Sequence, residues 1–364
     1  MNNESIILKV GGQKFKGWTA ATIEKSLYNM TGTFGLAATD IFPGSMEKWG
    51  IAMGDACSIE IYGQTIISGY IEDISIDYDA ESHNIQISGR DKTCDLVDCS
   101  VETPNEWKNQ SIKSIVEALC NPFSIDVEID SSVSTSVITK IADKKANEGD
   151  TVFDIISSLC KVHAILPVSY GDGKLTLTRA GTNHVNDTLE LGRNVKSGSL
   201  EQSNKDRFKT YTVKGQAIGK DNILSVTSIA NLSGQATDDV ILRYRPMVIF
   251  PETAVNGNGD CIKRAEWEAR IRAGKSRSVN YQVQGWVQDN HDIWPLNSLV
   301  RVKDFFLNID STLLISELSF SVDSDSGTIT NLSLVDPGMF DPMPFTQNTQ
   351  IKTESDWRTK LAIQ

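Results

Sequence analysis

The sequence predicts a mainly β chain with α+β segments, in which two barrel-like β-domains are accompanied by smaller α/β domains. Three observations carry that expectation. Residues 58–89 alternate apolar and polar side chains with period two, through SIEIYG (58–63), TIISGYIEDISIDYD (65–79) and NIQISG (84–89). The same alternation returns in LLISELSFSVDSDSGTITNLSLV (313–335), and in both places a long strand enters an acidic turn and comes back as another strand. Helical spacing is confined to short stretches at 112–120, 152–160 and 261–274.

The first β-domain is expected over residues 1–98. Turn material at 62–64 and 79–83 separates its strands, and a compact antiparallel barrel or sandwich accounts for them. It ends in GRDKTCDLVDCS (89–100), where Cys94 and Cys99 lie among Asp91, Asp95 and Asp98. A structural zinc site needs four thiolate or imidazole ligands, usually in close pairs. Here one C-x4-C stands alone, and His83, His163, His184 and His291 form no ligand-spaced pair. Acid–base catalysis needs two carboxyls converging on a cleft, whereas aspartates crowded into a turn are common solvated caps. The motif therefore reads as domain-junction punctuation, with Gly89, Arg90, Asp91, Asp95 and Asp98 as its defining residues.

A small α/β domain is expected over 99–181. In IKSIVEALC (112–120), Ile112, Ile115, Val116, Leu119 and Cys120 fall on one helical face, with Ser111 as N-cap and Asn121-Pro122 as the stop. VFDIISSLC (152–160) repeats the spacing, with Asp150 as its expected cap. Each helix leads toward a strand, SIDVEID (124–130) and AILPVSY (164–170), and GDGKLTLTRAG (171–181) carries a tight hairpin signal. The repeated Leu-Cys could mark a redox pair, but two thiols packed in one core explain it more simply.

The second β-domain is expected over 182–336, with an α/β insertion at about 225–283. Strand patterns recur in DTLELG, KTYTVKGQ, ILSVTSI and DVILRYRPMVIF. The loop NGNGD (256–260) lacks both the GxGxxG spacing and the Lys-Ser/Thr end of a phosphate loop, so it reads as a turn feeding the helix 261–274. That helix pairs opposite charges four apart (Arg264/Glu268, Glu266/Arg270, Glu268/Arg272), which marks an exposed or interfacial face. Arg264, Glu266, Trp267, Glu268 and Arg270 are its candidate interface residues. Trp267 is the expected anchor of a subunit contact or, alternatively, packs on its own domain's sheet. Residues 337–364 form a polar C-terminal tail.

Bulk properties narrow the function. The chain has 364 residues, 40% hydrophobic and 23% charged, with a net charge of −12. No basic stripe of the kind that grips nucleic acid is present. No apolar run approaches the ~20 residues that span a bilayer, so no membrane anchor is expected. The N-terminus has no cationic stretch before an apolar core, so no secretory signal is expected. Six cysteines without framework spacing are expected to be reduced thiols, with no disulfide and no metal. A carbohydrate hydrolase would need a carboxylate pair that does not stand out. A glycan-binding adhesin would need exposed tryptophans such as Trp18, Trp49 or Trp107.

Several stretches together are similar to one family. GRDKTCDLVDCS, WKNQSIKSIVEALCNPFSIDV, RAEWEARIRAGKS, the Gly-Trp at 285–286, DIWPLN, LLISELSFSVDSDSGT and DPGMFDP occur in the expected order along nearly the whole chain. The sequence thereby resembles the phage Mu 43-kDa tail protein family, the baseplate hubs of contractile tails, and through them the hub of T-even phages and the N-terminal region of type VI secretion spikes. The resemblance implies a structural protein rather than an enzyme, without cofactors, found in the virion tail baseplate and, during assembly, the host cytoplasm. It implies a homotrimeric ring with two tail-tube-like barrels per subunit, so that six similar barrels meet a sixfold tail tube above and a spike below. The implied partners are the chain itself, the tail tube protein, the central spike protein and other baseplate proteins, with DNA only in transient passage. Asp73, Asp77, Asp79, Asp323 and Asp325 are then candidates for the channel or its rim. Some relatives carry a fused lysozyme domain; this chain ends at Gln364, so wall-degrading activity is expected from other proteins.

Overall fold

The computed structural model describes residues 6–39, 50–79, 83–102, 106–138, 140–163, 165–181, 183–216, 231–251 and 257–340. It divides into two compact units, residues 1–206 with 271–342, and residues 207–270. With 51% strand and 19% helix the chain is mainly β.

The first unit opens with β1 (Ile6–Val10), β2 (Gln13–Phe15), β3 (Ala20–Ser26), β4 (Thr33–Thr39), β5 (Ala56–Ile61), β6 (Gln64–Tyr78) and β7 (His83–Asp91). Period-two alternation does what the sequence predicts: along β1, Ile6, Leu8 and Val10 are buried and the residues between them are not. The small domain follows as α1 (Cys94–Asp98), β8 (Glu106–Ser111), α2 (Ile112–Cys120), β9 (Val127–Ile129), α3 (Ser134–Val137), β10 (Lys140–Lys145), α4 (Val152–Val162), β11 (Leu166–Val168) and β12 (Leu175–Thr178). All five stripe residues of α2 are buried, and the Ser111 hydroxyl accepts from the Ser114 amide at 3.1 Å. Helix α4 is capped by Thr151 instead of the expected Asp150. Thr151 and Asp154 form a reciprocal capping box, while Asp150 accepts from the amide of Asn147 in the turn before it. The expected hairpin forms as β11 and β12, and β9 adds to β12 in parallel.

After β13 (Asn183–Glu190) and β14 (Val195–Gln202) the chain enters the second unit: β15 (Thr210–Gln216), β16 (Asn231–Thr237), β17 (Pro246–Ile249) and most of α5 (Asn258–Lys275). It returns as β18 (Arg277–Gln284), β19 (Ser298–Asp304), β20 (Ile309–Asp323) and β21 (Gly327–Val335). In the second unit β15 lies between β16 and β17, and Cys261 and Ala265 of α5 pack on Tyr211 and Val213. The helix crosses close over β16, where a Cβ on Gly234 would lie 2.2 Å from the Ile262 amide nitrogen. Of the expected strand DVILRYRPMVIF, only Pro246–Ile249 is extended in the sheet. Asp238, held by a bidentate pair with Arg207 at 2.8 and 2.9 Å, instead sets the turn before it. ILSVTSI lies outside the described residues.

The two β-regions share one strand order. The first runs β1-β5-β6-β7-β4-β3 and the second β13-β19-β20-β21-β18-β14. The long strands match in detail: β6 and β20 each have 15 residues, β7 and β21 each have 9, and both hairpins carry one register shift, at 71/73 and 315/317. The repeats differ in that β1 pairs antiparallel with β5 while β13 pairs parallel with β19. The sequence suggested two separate barrels. Instead β3 pairs antiparallel with β20, from Ser26 opposite Glu317 to Ala21 opposite Val322, which joins the repeats into one 13-stranded sheet. Among the described residues no sheet closes on itself. Alternation fixes which face of a strand is buried, but not which strand lies beside it.

Candidate functional site

The junction motif is a load path between elements. Strand β7 crosses β6 so tightly that a Cβ on Gly89 would stand 2.0 Å from the Tyr70 carbonyl oxygen, and one on Gly69 1.9 Å from that of Arg90. Arg90 then forks. Its Nε and Nη2 donate to both carboxylate oxygens of Glu72 at 2.7 Å, and Nη1 and Nη2 reach Asp98 at 3.2 and 2.5 Å, tying β6, β7 and α1 together. These hydrogen bonds hold the Asp98 carboxyl below its ordinary pKa.

Asp91 is fully buried. It accepts from the Gly32 amide at 2.7 Å, the Thr93 amide at 2.9 Å and the Thr93 hydroxyl at 2.5 Å. Burial pushes its pKa up, and those hydrogen bonds oppose the shift. Asp95 sits half-buried in the first turn of α1. Arg90, Asp91 and Asp98 thus each hold partners that fasten β6, β7, α1 and the turn at Gly32 together.

Two fasteners here carry no sequence signal. Lys25 in β3 donates to the Tyr170 carbonyl at 2.5 Å, and burial lowers its pKa to about 8 against the opposing charges of Asp91 and Asp172. Asn297, buried with φ +60°, accepts from the Gly181 amide at 3.0 Å and donates to the Arg179 carbonyl at 3.0 Å and the Tyr170 hydroxyl at 3.2 Å. Both bind the hairpin of the small domain, but an isolated lysine or asparagine in sequence looks like surface.

The thiols are not poised for chemistry. Burial pushes those of Cys57, Cys94, Cys120 and Cys160 up to about 12, far from the thiolate that reacts or binds metal. Cys99 is exposed, and its pKa is raised as well. Among the described residues no three His, Cys, Asp or Glu side chains gather as metal ligands, and no helix is long and apolar enough to cross a membrane. Trp18 and Trp107 are each 2% exposed, so neither presents a sugar-stacking face. Trp49 lies outside the described residues.

The candidate channel aspartates fall into two kinds. Asp73 and Asp77 alternate with Ser75 along the exposed end of β6, and Asp79 follows in the turn. Asp323 instead closes the β20–β21 turn, accepting from the amides of Asp325 at 2.8 Å and Ser326 at 2.6 Å, which hold its carboxyl below the ordinary range. Asp325 is exposed at its tip. A cavity of 260 Å³ beside the β3–β20 seam is lined mainly by polar and charged groups, among them Glu24, Lys25, Ser26, Glu317 and Asn331, together with Leu318. On α5 the expected Arg264–Glu268 pair forms at 3.6 Å, and the Arg264 guanidinium stacks 4.5 Å above the half-buried Trp267 ring. Glu266 and Arg270 are exposed.

Comparison with known proteins agrees with this structural character. Three family models match: the N-terminal domain of Mu phage baseplate assembly protein GpP-like proteins over residues 5–91, the second domain of baseplate hub protein gp44-like proteins over 93–179, and the fourth domain of Mu phage baseplate assembly protein GpP over 259–343. The baseplate hub protein gp44 of Escherichia phage Mu is 30% identical over 337 residues, covering 91% of this chain and 88% of that protein. The 43 kDa tail protein of prophage MuSo2 from Shewanella oneidensis superposes with a TM-score of 0.81 at 33% identity, over 93% of this chain and 99% of its own. A tail protein from Neisseria meningitidis MC58 shares the fold, with a TM-score of 0.77 at 20% identity over 94% and 99%. The chain belongs to the family of the phage Mu baseplate hub protein gp44, a family of structural tail components and not of enzymes.

Proposed function

We propose that three copies of the chain form the hub of a contractile-tail baseplate, a ring that joins a sixfold tail tube to a threefold spike and encloses part of the path of the ejected DNA. The observation that carries this reading is the duplicated strand order. A chain holding two alike β-modules presents six of them as a trimer, which a sixfold ring can meet one for one. In the ring each module is barrel-like, and the partners are the tube protein, the spike protein and other baseplate proteins, met after assembly in the host cytoplasm.

The polar face of the sheet supports the conduit. Asp73, Ser75 and Asp77 on β6 correspond to Glu317, Ser319 and Ser321 on β20, so these two strands offer carboxylates and hydroxyls at the matched positions. A phosphate chain moving past such a surface makes few of the cation contacts that slow transit. Asp79, Asp323 and Asp325 belong at the rim. Trp267, with Arg264, Glu266, Glu268 and Arg270, is proposed as a subunit contact of α5.

The mass of the native protein tests the reading. Sedimentation should give about three times the 40.0 kDa chain mass at micromolar concentration; a stable monomer or dimer overturns it.

A further inference from the structure

The second unit exposes more large apolar side chains than its core cluster buries. That cluster holds four buried residues, Tyr211, Val213, Cys261 and Ala265. Against them, six of the fourteen large apolar side chains that stand exposed among the described residues belong to residues 207–270. Five of the six fall within residues 240–250: Val240, Leu242, Tyr244, Val248 and Phe250. Leu242, Tyr244 and Phe250 are 91%, 88% and 73% exposed. Single exposed apolar residues are ordinary on a surface, but a run of them marks a place where something binds.

The run is held in place at both ends. Asp238, clamped by Arg207, accepts from the Val240 amide at 3.1 Å through its carboxylate and from the Ile241 amide at 3.2 Å through its carbonyl. Ile241 itself is buried. Farther along, Arg245 lies 4.9 Å over the Phe208 ring, and its carbonyl accepts from the Lys209 and Thr210 amides at 2.8 and 3.3 Å. Leu242 and Tyr244 therefore project from a fixed backbone, which lowers the ordering cost of binding.

Alternation carries the patch on along β17. Met247 and Ile249 lie opposite Tyr211 and Val213 and share their core, so Val248 turns to the other face of the sheet, beside Thr212. Among the described residues β17 pairs with β15 alone. Thr210 donates to the Arg245 carbonyl, so the ladder uses every second residue from Arg245 and leaves the backbone of Val248 on the outer edge. The surface is also basic. Arg243 and Arg245 are the only charged side chains between 240 and 250, and the acids before them pair elsewhere, Asp238 with Arg207 and Asp239 with Lys209. Residues 207–270 carry nine Lys and Arg against seven Asp and Glu, in a chain whose net charge is −12.

We propose that β17 and the turn before it dock an extended acidic segment of a different protein, which adds as a strand to the outer edge of β17. Its backbone pairs with Val248, its apolar side chains cover Leu242, Tyr244 and Val248, and its carboxylates meet Arg243 and Arg245. A single nucleic-acid strand would also meet arginines and an aromatic ring, but five apolar side chains to two cations, beside an open strand edge, favour a polypeptide. This side of the sheet lies across from α5, the helix proposed as a subunit contact, so the docked segment and a second copy do not compete. The docking does not require the trimer.

Selection from a library of random displayed peptides on the full chain tests it. The enriched sequences should alternate acidic and apolar residues, and they should not be enriched on the chain carrying Leu242→Ser and Tyr244→Ser. A selected peptide, synthesised and labelled, should bind the parent, lose at least tenfold in affinity on that double variant and on Arg243→Glu, and weaken with added salt. It should also slow hydrogen exchange at the Val248 amide. Both serine substitutions fall on exposed side chains, so the far-ultraviolet spectrum and the sedimentation of the variant should match the parent. No enrichment, enriched peptides without an acidic bias, or equal binding to the variants overturns the proposal. A single-stranded oligonucleotide that binds the parent more tightly than the peptide, and competes with it, makes this a nucleic-acid surface instead. A double variant that no longer assembles makes it a contact between copies. A parent that sediments as a monomer yet binds the peptide overturns the trimeric reading alone.

Discussion

Strands β3 and β14 hold the same place in two copies of one strand order, yet among the described residues β3 is paired on both edges and β14 on one. The ladders through β18 and β21 align Leu200 of β14 with Ile23 of β3. Ile23 in β3 is fully buried, while its counterpart Leu200 is half-buried. Among the described residues the same topology therefore yields a seam paired on both sides at β3 and on one side at β14. Burial in one repeat becomes a measure of what the other lacks, and sequence similarity between the repeats is too low to show it.

The largest expected effect breaks the comparison at that pair. Ile23→Ala removes a fully buried side chain and should cost about 2–5 kcal/mol of stability in chemical denaturation. Leu200→Ala should cost the separated chain under about 1 kcal/mol, its main effect appearing in assembly. Equal losses of chain stability at both positions would mean that the repeats are equally finished and the asymmetry is false.

A second prediction sharpens the contrast on the core side of β3, where Lys25 has no charged counterpart in β14: the aligned residue is Gln202. Lys25 has its pKa lowered from 10.5 to about 8 by burial. The unfolded chain then binds more protons between these values, so this group's contribution to stability rises with pH from about 8 to 10.5. Below about pH 8 the lysine is charged in both states and the cost of burying it is fully present. The buried thiols and tyrosines shift the opposite way, so the test is the difference between the parent and Lys25→Met. That difference should shrink as pH rises through the window; a pH-independent difference would show that Lys25 keeps its charge.

The smallest expected effect concerns the second unit. Trp267→Ala should weaken trimer assembly more than it lowers chain stability, as read by sedimentation beside a melting curve. Parent-like assembly, or outright unfolding, would place the ring on its own domain instead of at a contact.

Much of this architecture was legible in the sequence because it rests on local chemistry. The stripe of α2 and the alternation of β20 and β21 need only their own residues. Thr151 displaced Asp150 as a cap because the box needs a carboxylate three residues on, and Asp154 supplies it. Strands β8 and β10 were missed, since their ladder joins two polar segments about thirty residues apart. The pairing of β3 with β20 spans most of the chain, and nothing in either strand names the other. At the junction, Arg90, Asp91 and Asp98 were visible as a cluster, but their partners Glu72 and Gly32 come from other elements, and Lys25 and Asn297 act only through the fold.

The second unit enters between β14 and β18, whereas the matching step in the first repeat, from β3 to β4, needs only residues 27–32. In a ring of three chains this makes neighbouring modules unequal. A protein touching only the shared strands would find six similar footholds, while one touching the inserted unit would find three. The duplication would let one ring be counted in two ways, and the insertion would decide which count a given neighbour reads.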